Sequence, residues 1–325
     1  MNLVSLFTTI TGEFEMTRIV FGETYIDLPD EKRSAFVTDD LSIEEYHDLG
    51  NFKKHGDKAI LSKSQLSDIL DCPARFKYFH IDGNKPADKD YFNVGNAIHT
   101  LALEPNMFHD RFYVIPEGIR RDKRTDAYKA CIEEAAERKM LASKDFESIE
   151  AMAIALSSNR KAMALLEGSG HIEQSAIWHD KDSGLNLRCR PDLRRDDGLI
   201  VDIKTAQSAD PKKFMRSAFD MHYDVSAAMT CDGIEAATGK RPENYVFLVI
   251  EKTPPYIIEA YDSFRPFDPE DMSNMTYADA GRYRFRKALD KFIECRKTGE
   301  WHGYSEKINP MEVPRYEIKN MEKGE

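Results

Sequence analysis

The chain has 325 residues, 41% apolar and 32% charged, enough for one large domain or two modest ones with a real core. A formal net charge of −11 argues against a protein that coats nucleic acid through general basicity, so any basic path must be local. Five scattered cysteines (Cys72, Cys131, Cys189, Cys231, Cys295) form no C-x-x-C pair, which argues against a zinc knuckle or a disulfide framework, and no apolar run is long enough to span a bilayer; the expectation is a cytoplasmic chain with no membrane partner.

Residues 1–57 read as an N-terminal accessory segment, with β-prone pieces at Arg18–Phe21 and Thr24–Leu28 and an acidic patch around Asp39–Glu45. The capping-box pattern Ser62-Lys-Ser-Gln65 opens a helix whose apolar stripe is Leu66, Ile69 and Leu70. Pro73 fits the first turn of a following helix, where its missing N–H is harmless. Asn93–Leu103 predicts a helix stopped at Glu104-Pro105, with Ile98, Leu101 and Ala102 buried and His99 on the flank of that face. Residues 122–167 hold no proline or glycine and predict helix, broken near Met140–Lys144 with Ser143 as N-cap of the second part.

A β-rich heart follows. His171–His179 alternates, Asp182-Ser-Gly184 signals a turn, and Leu185–Arg190 returns as the paired strand. The loop Arg194–Gly198 leads into Leu199–Lys204, completing an antiparallel meander that brings Glu173, Asp192, Asp202 and Lys204 side by side. Alternate side chains of a strand share a face. Asp202 and Lys204 therefore project to one side, and Leu199, Val201 and Ile203 to the other. Two carboxylates and an ammonium meeting at one point suit a hard divalent ion held by oxygens, with the lysine near an attacking water or a phosphate. Asp-x-Lys alone is far more often a solvated face than a metal site. Here, however, the strand is β-branched and apolar, and charges are rarely placed on such strands without a partner. Pro191-Asp192, a short acidic loop, then apolar-Asp-apolar-Lys-Thr reproduces the PD-(D/E)xK nuclease signature in order and polarity. Further on, the pattern predicts a helix from Pro211, a helix over 224–238 ending at Gly239, strands over 245–250 and 256–261, and a helix over 278–297. Lys63, Ser64, Arg188, Arg190, Lys212, Lys213 and Arg216 are candidates for contacts to a nucleic-acid backbone, which would be salt-sensitive and indifferent to sequence.

From about residue 42 to 316 the chain resembles the catalytic domain of the exodeoxyribonuclease VIII (RecE-type) family, phage and prophage enzymes related to the λ-type exonuclease. The resemblance rests on Ser-Lys-Ser-Gln-Leu at 62–66, Gly95-Asn-Ala-Ile-His99, Leu103-Glu-Pro105 and Gly170-His-Ile-Glu-Gln-Ser175, and continues through Leu187-Arg-Cys-Arg-Pro-Asp192, Asp202-Ile-Lys-Thr205, Asp232-Gly233 and Val246-Phe-Leu-Val249. It implies an α/β (α+β) fold with a restriction-endonuclease-like PD-(D/E)xK core, a mixed central sheet flanked by helices, occupying residues 58–318 before a short tail, 319–325. It implies a metal-dependent exonuclease that degrades linear double-stranded DNA 5′→3′ and leaves 3′ single strands for recombination. A ring-shaped homo-oligomer and a single-strand annealing protein as partner are implied as well. Carried onto this sequence, His99, Asp192, Asp202 and the Ile203 carbonyl hold Mg²⁺ (or Mn²⁺), Glu173 is an outer acid on metal-bound water, and Lys204 orients the attacking water. The helix after the catalytic strand departs from the pattern: Ser226 and Thr230 stand where a glutamine and a tyrosine are usual. Other readings stay open: a DNA-end-binding accessory of recombination or defence with slow cleavage, a PD-(D/E)xK endonuclease, or a structural protein that shares the sheet.

Overall fold

The computed structural model describes residues 26, 34–84, 91–265, 275–313, 318, 321 and 322, with only the backbone of residues 91–93. The β-prone pieces at Arg18–Phe21 and, apart from Ile26, Thr24–Leu28 lie outside the described residues, as does most of the expected tail.

The strands among the described residues are β1 (Phe36–Thr38), β2 (Phe112–Val114), β3 (Lys139–Leu141), β4 (Gly170–Ile172), β5 (Ser175–Asp180), β6 (Leu185–Cys189), β7 (Leu193–Arg195), β8 (Leu199–Ala206), β9 (Asn244–Glu251) and β10 (Ile258–Asp262). The principal helices are α1 (Lys63–Asp71), α2 (Tyr91–Leu103), α3 (Ser143–Ser158), α4 (Pro211–Asp220), α5 (Tyr223–Thr238) and α6 (Tyr277–Thr298).

β8 lies at the centre of a five-stranded mixed sheet of order β10-β9-β8-β7-β4. It pairs in parallel with β9 from Leu199↔Asn244 to Ala206↔Glu251, and antiparallel with β7. A parallel neighbour needs a crossover, and residues 207–243 supply it with α4 and α5. Strand alternation then sorts the core. Val201 and Ile203 pack with Leu248, Ile250, Ile98 of α2 and Ile149 and Met152 of α3. Ile200 packs on the other face with Tyr245, Phe247, Val249, Phe214 of α4 and Ala227 of α5. Helices thus cover both faces of a mixed sheet, as the family resemblance implied.

A second sheet, β1-β5-β6, packs Trp178 and Leu187 against α1, α5 and α6. Two helix glycines admit close neighbours. A Cβ on Gly281 would stand 1.9 Å from the Asp224 carbonyl oxygen, and one on Gly233 would stand 2.4 Å from the Trp178 ring.

The expected strand His171–His179 is two strands. At Glu173 the backbone turns left-handed (φ 49), so β4 stays in the large sheet and β5 leaves for the second one. The return segment parts in the same way: β6 follows β5, Pro191 cannot donate to a ladder, and β7 rejoins the large sheet. The expected helix over 122–167 is also interrupted. Lys139–Leu141 forms β3, parallel to β2, and Asn159 caps a separate short helix, Arg160–Leu166. Ser143 is the first helical residue and Ala142 the cap position. The Ser62/Gln65 capping box, Pro73 at a helix start and the left-handed Gly239 cap are present. In the segment read as accessory, β1 pairs with β5, and Phe52 packs with Leu66, Phe76 and Phe292 of the main body.

Candidate metal centre and active site

The site forms where the two sheets part. β7 pairs with β8 only at Leu193↔Val201 and Arg194↔Ile200. Beyond Val201 that edge of β8 is open, and Asp192, in the bend between β6 and β7, takes it: its Oδ2 accepts the Ile203 N–H at 2.6 Å. In this pairing geometry a residue's N–H and C=O point to the same side, so the Ile203 carbonyl lies on the Asp192 edge too. Ile203 sits between Asp202 and Lys204, and this one backbone bond fixes all three charged residues relative to each other.

His99 of α2 approaches from the helical layer, its Nδ1 3.4 Å from Asp192 Oδ1. Lys204 Nζ donates to Asp202 Oδ1 and lies 3.4 Å from the Ile203 carbonyl. The Tyr245 hydroxyl of β9 donates to Asp202 Oδ2. Asp202 is 5% exposed and the side chain of Asp192 17%.

Burial acts on every one of these groups, and the neighbours decide the outcome. Burial pushes Asp192 up, but His99, Lys204 and the Ile203 amide together hold its carboxyl down at about 2. Burial and the Asp192 charge raise Asp202 against the pull of Lys204 and Tyr245. For His99, burial opposes charging but the Asp192 carboxylate outweighs it, and the imidazole is raised. Lys204 is raised despite burial because both carboxylates face it. An amine that keeps its proton this firmly is a poor proton acceptor.

Lys63, the first residue of α1, reaches into the same place. Its Nζ donates to the Met221 carbonyl at 2.8 Å and stands 5.3 Å from the centre of the Tyr223 ring. Lys204 Nζ stands at 5.3 Å from that ring as well. Burial and repulsion from Lys204 pull Lys63 down to about 8. Ser64 is exposed beside it, its Oγ 3.0 Å from that of Ser62.

Other expected site residues are placed differently. The Glu173 N–H donates to the Asp192 carbonyl at 3.0 Å, but its carboxylate acts on Arg190 and makes no hydrogen bond among the described residues. Arg188 is not a surface contact for phosphates. It is 3% exposed, stacks on Tyr46 at 4.8 Å, and its Nε and Nη1 have no hydrogen-bond partner among the described residues. Its strand enters the second sheet, where both faces are covered. Arg190 also stacks on Tyr46 and donates to the Leu41 carbonyl and Ser175 Oγ, tying the N-terminal segment to β5. Lys212, Lys213 and Arg216 are exposed on α4. Thr230 is buried, its carbonyl facing the Cys189 thiol, while Ser226 lies beside the Tyr245 hydroxyl.

Nothing in the sequence pattern marks Tyr223 or Tyr245. Tyr245 reads as one more apolar residue of β9. Tyr223 opens α5 after the left-handed His222. That turn is fixed by a chain from Asp71 through His222 and Arg284 to Asp224 that no local pattern announces.

The donor set suits a hard divalent ion: two carboxylates, a backbone carbonyl and one imidazole, with no thiolate. Among the described residues no three His, Cys, Asp or Glu side chains stand ready-made around one point. Lys204 and Tyr245 engage both oxygens of Asp202, so an ion would enter in exchange for the Lys204 contact.

Fold and site together define a chain of the PD-(D/E)xK class. Residues 62–314 match the family described as "PDDEXK-like domain of unknown function (DUF3799)", and the chain belongs to that family. Nucleases of this superfamily generally use divalent metal ions. Among solved structures, the chain is similar to a protein of Eubacterium rectale described as "Putative exonuclease", with a TM-score of 0.55 and 11% identity over 86% of this chain and 98% of that one. At that identity the likeness is one of fold. Similarity to the protein SSO0001, at 15% identity over 62% of this chain and 85% of that one, has a TM-score of 0.26 and carries no argument. No curated protein matches the chain. No helix among the described residues is long and apolar enough to cross a membrane.

Proposed function

We propose that this chain is a metal-dependent exodeoxyribonuclease acting on linear double-stranded DNA, 5′→3′, with Mg²⁺ (or Mn²⁺) as cofactor. The observation that carries the reading is the Asp192 Oδ2–Ile203 N–H bond, which sets two carboxylates and Lys204 around one backbone carbonyl. His99, Asp192, Asp202 and the Ile203 carbonyl would hold the ion. Bound there, it supplies an acidified water and charge neutralisation at the phosphate.

The chain's own residues do the rest. Lys204, firmly protonated, faces the charge that develops on the phosphoryl oxygens. Lys63 adds a second ammonium, and both cations rest against the Tyr223 ring. Glu173 is retained as an outer acid by proximity of its backbone to Asp192. Lys212, Lys213, Arg216 and Ser64 are proposed backbone contacts, and the three cations offer a local basic path on an acidic chain. Polarity, a ring-shaped homo-oligomer and a single-strand annealing partner rest on the RecE-type resemblance. The short Ser226 and Thr230 support a slower enzyme and keep the end-binding accessory as a second reading.

The test is cleavage of linear duplex and of covalently closed circles, with Mg²⁺ and with chelator, by wild type and Asp202→Ala. Expected are nucleotide release from linear duplex alone, none with chelator and none from the variant. Nicking of circles would make it an endonuclease. Undiminished release by Asp202→Ala would overturn the site.

A further inference from the structure

Asp202 has two oxygens, and each has its own partner: Lys204 on Oδ1 and the Tyr245 hydroxyl on Oδ2. The lysine is mobile in kind, a flexible stem ending in a compact charge. The phenol is not. Tyr245 is 0% exposed and its ring packs against Phe247, centroids 5.0 Å apart. Its carbonyl accepts both the Ser263 amide at 2.9 Å and the Ser263 hydroxyl at 2.6 Å. Parallel pairing sets Tyr245 beside Ile200, and the residue two along from Ile200 on the same face is Asp202. The ring therefore runs along the sheet to a carboxylate it reaches by register, with the Ser226 side chain beside its hydroxyl.

We propose that Tyr245 is a positioning residue for the metal centre: it ties down Oδ2 of Asp202 so that Oδ1 is the oxygen an ion receives when Lys204 moves off. This rests on Asp202 being a metal ligand. A group that orients a ligand from behind governs metal affinity, and losing one typically weakens binding about 10–100-fold. A phenol that merely satisfied a buried carboxylate would affect stability and leave metal affinity alone.

Tyr245→Phe keeps the ring and its volume and removes only the hydroxyl. The experiment titrates Mn²⁺ into wild type, Tyr245→Phe and Asp202→Ala by calorimetry, and into duplex-cleavage assays of wild type and Tyr245→Phe. Expected for Tyr245→Phe is half-saturation at about 10–100-fold higher Mn²⁺ in both measurements. Saturating Mn²⁺ should bring cleavage back to within a few-fold of wild type, and the KM for DNA should be unchanged. Half-saturation equal to wild type overturns the proposal, whatever happens to the melting temperature. Mn²⁺ binding that survives in Asp202→Ala brings down the reading of the site itself, and the proposal with it. Loss in Asp202→Ala with no change in Tyr245→Phe sinks the tyrosine's role alone.

Discussion

Lys63 should weaken the protein it belongs to, and removing its charge should stabilise the fold. The ammonium at the start of α1 is partly withdrawn from water and has Lys204 as a like-charged neighbour. An ordinary lysine titrates at 10.5, and this one is pulled down to about 8. The folded chain is therefore penalised for keeping the proton. The penalty is full below pH 8, fades as pH rises from 8 to about 10.5, and vanishes above that, where the unfolded chain is neutral too. Two and a half pKa units correspond to about 3 kcal/mol. The side chain is only half-buried and water screens it, so about 1–2 kcal/mol is the expected net effect. A methionine in its place would keep the stem's packing, and the Met221 carbonyl left behind, on an exposed residue, could bond to water. Lys63→Met should raise the melting temperature at pH 7 by roughly 1.5–3 °C, and by less than half of that at about pH 9.5. The same variant should bind duplex DNA more weakly. A lower melting temperature at neutral pH, or a gain of equal size in the alkaline measurement, would refute the electrostatic reasoning.

The Asp192 carboxyl, held at about 2, contributes stability above about pH 4 that is lost as pH falls through about 2. Asp192→Asn should lose about 2 kcal/mol in urea unfolding at about pH 6 and show a flatter acid limb. Gly281→Ala places a methyl against the Asp224 carbonyl and should destabilise by about 2–3 kcal/mol, read as a lower denaturant midpoint at unchanged slope. Removing Lys212, Lys213 and Arg216 together should reduce the slope of log affinity against log salt by about 2–3, since each phosphate contact contributes about 0.9. An unchanged slope would take α4 out of the DNA path.

The centre of the fold was legible because β8 carries its own signal. Its apolar residues alternate with Asp202 and Lys204, Pro191-Asp192 precedes it, and the capping residues Ser62, Gln65 and Gly239 mark helix ends by local chemistry. What was hidden depends on partners far along the chain. The break at Glu173 is a left-handed backbone in a run that alternates like a single strand, and only the second sheet explains it. Arg188 looked like a surface base because its residue type is usually solvated, whereas β1 and Tyr46, far upstream in the chain, belong to the segment that covers it. Lys139–Leu141 became a strand only because Phe112–Val114 lies beside it. Tyr245 has no polar signature at all: its hydroxyl matters through a register between β8 and β9 that single-strand patterns do not encode.

The parallel pairing of β8 and β9 also dictates when the centre can be completed. During synthesis Asp192, Asp202 and Lys204 leave the ribosome together, but the strand that walls them follows only after the whole 207–243 excursion. A half-made chain has the acids without their frame. Such contacts, distant in sequence, close late. The ordering leaves the centre unassembled until the sheet is shut, and a fragment truncated before residue 245 should carry every residue of the Pro-Asp/Asp-x-Lys signature and still be inert.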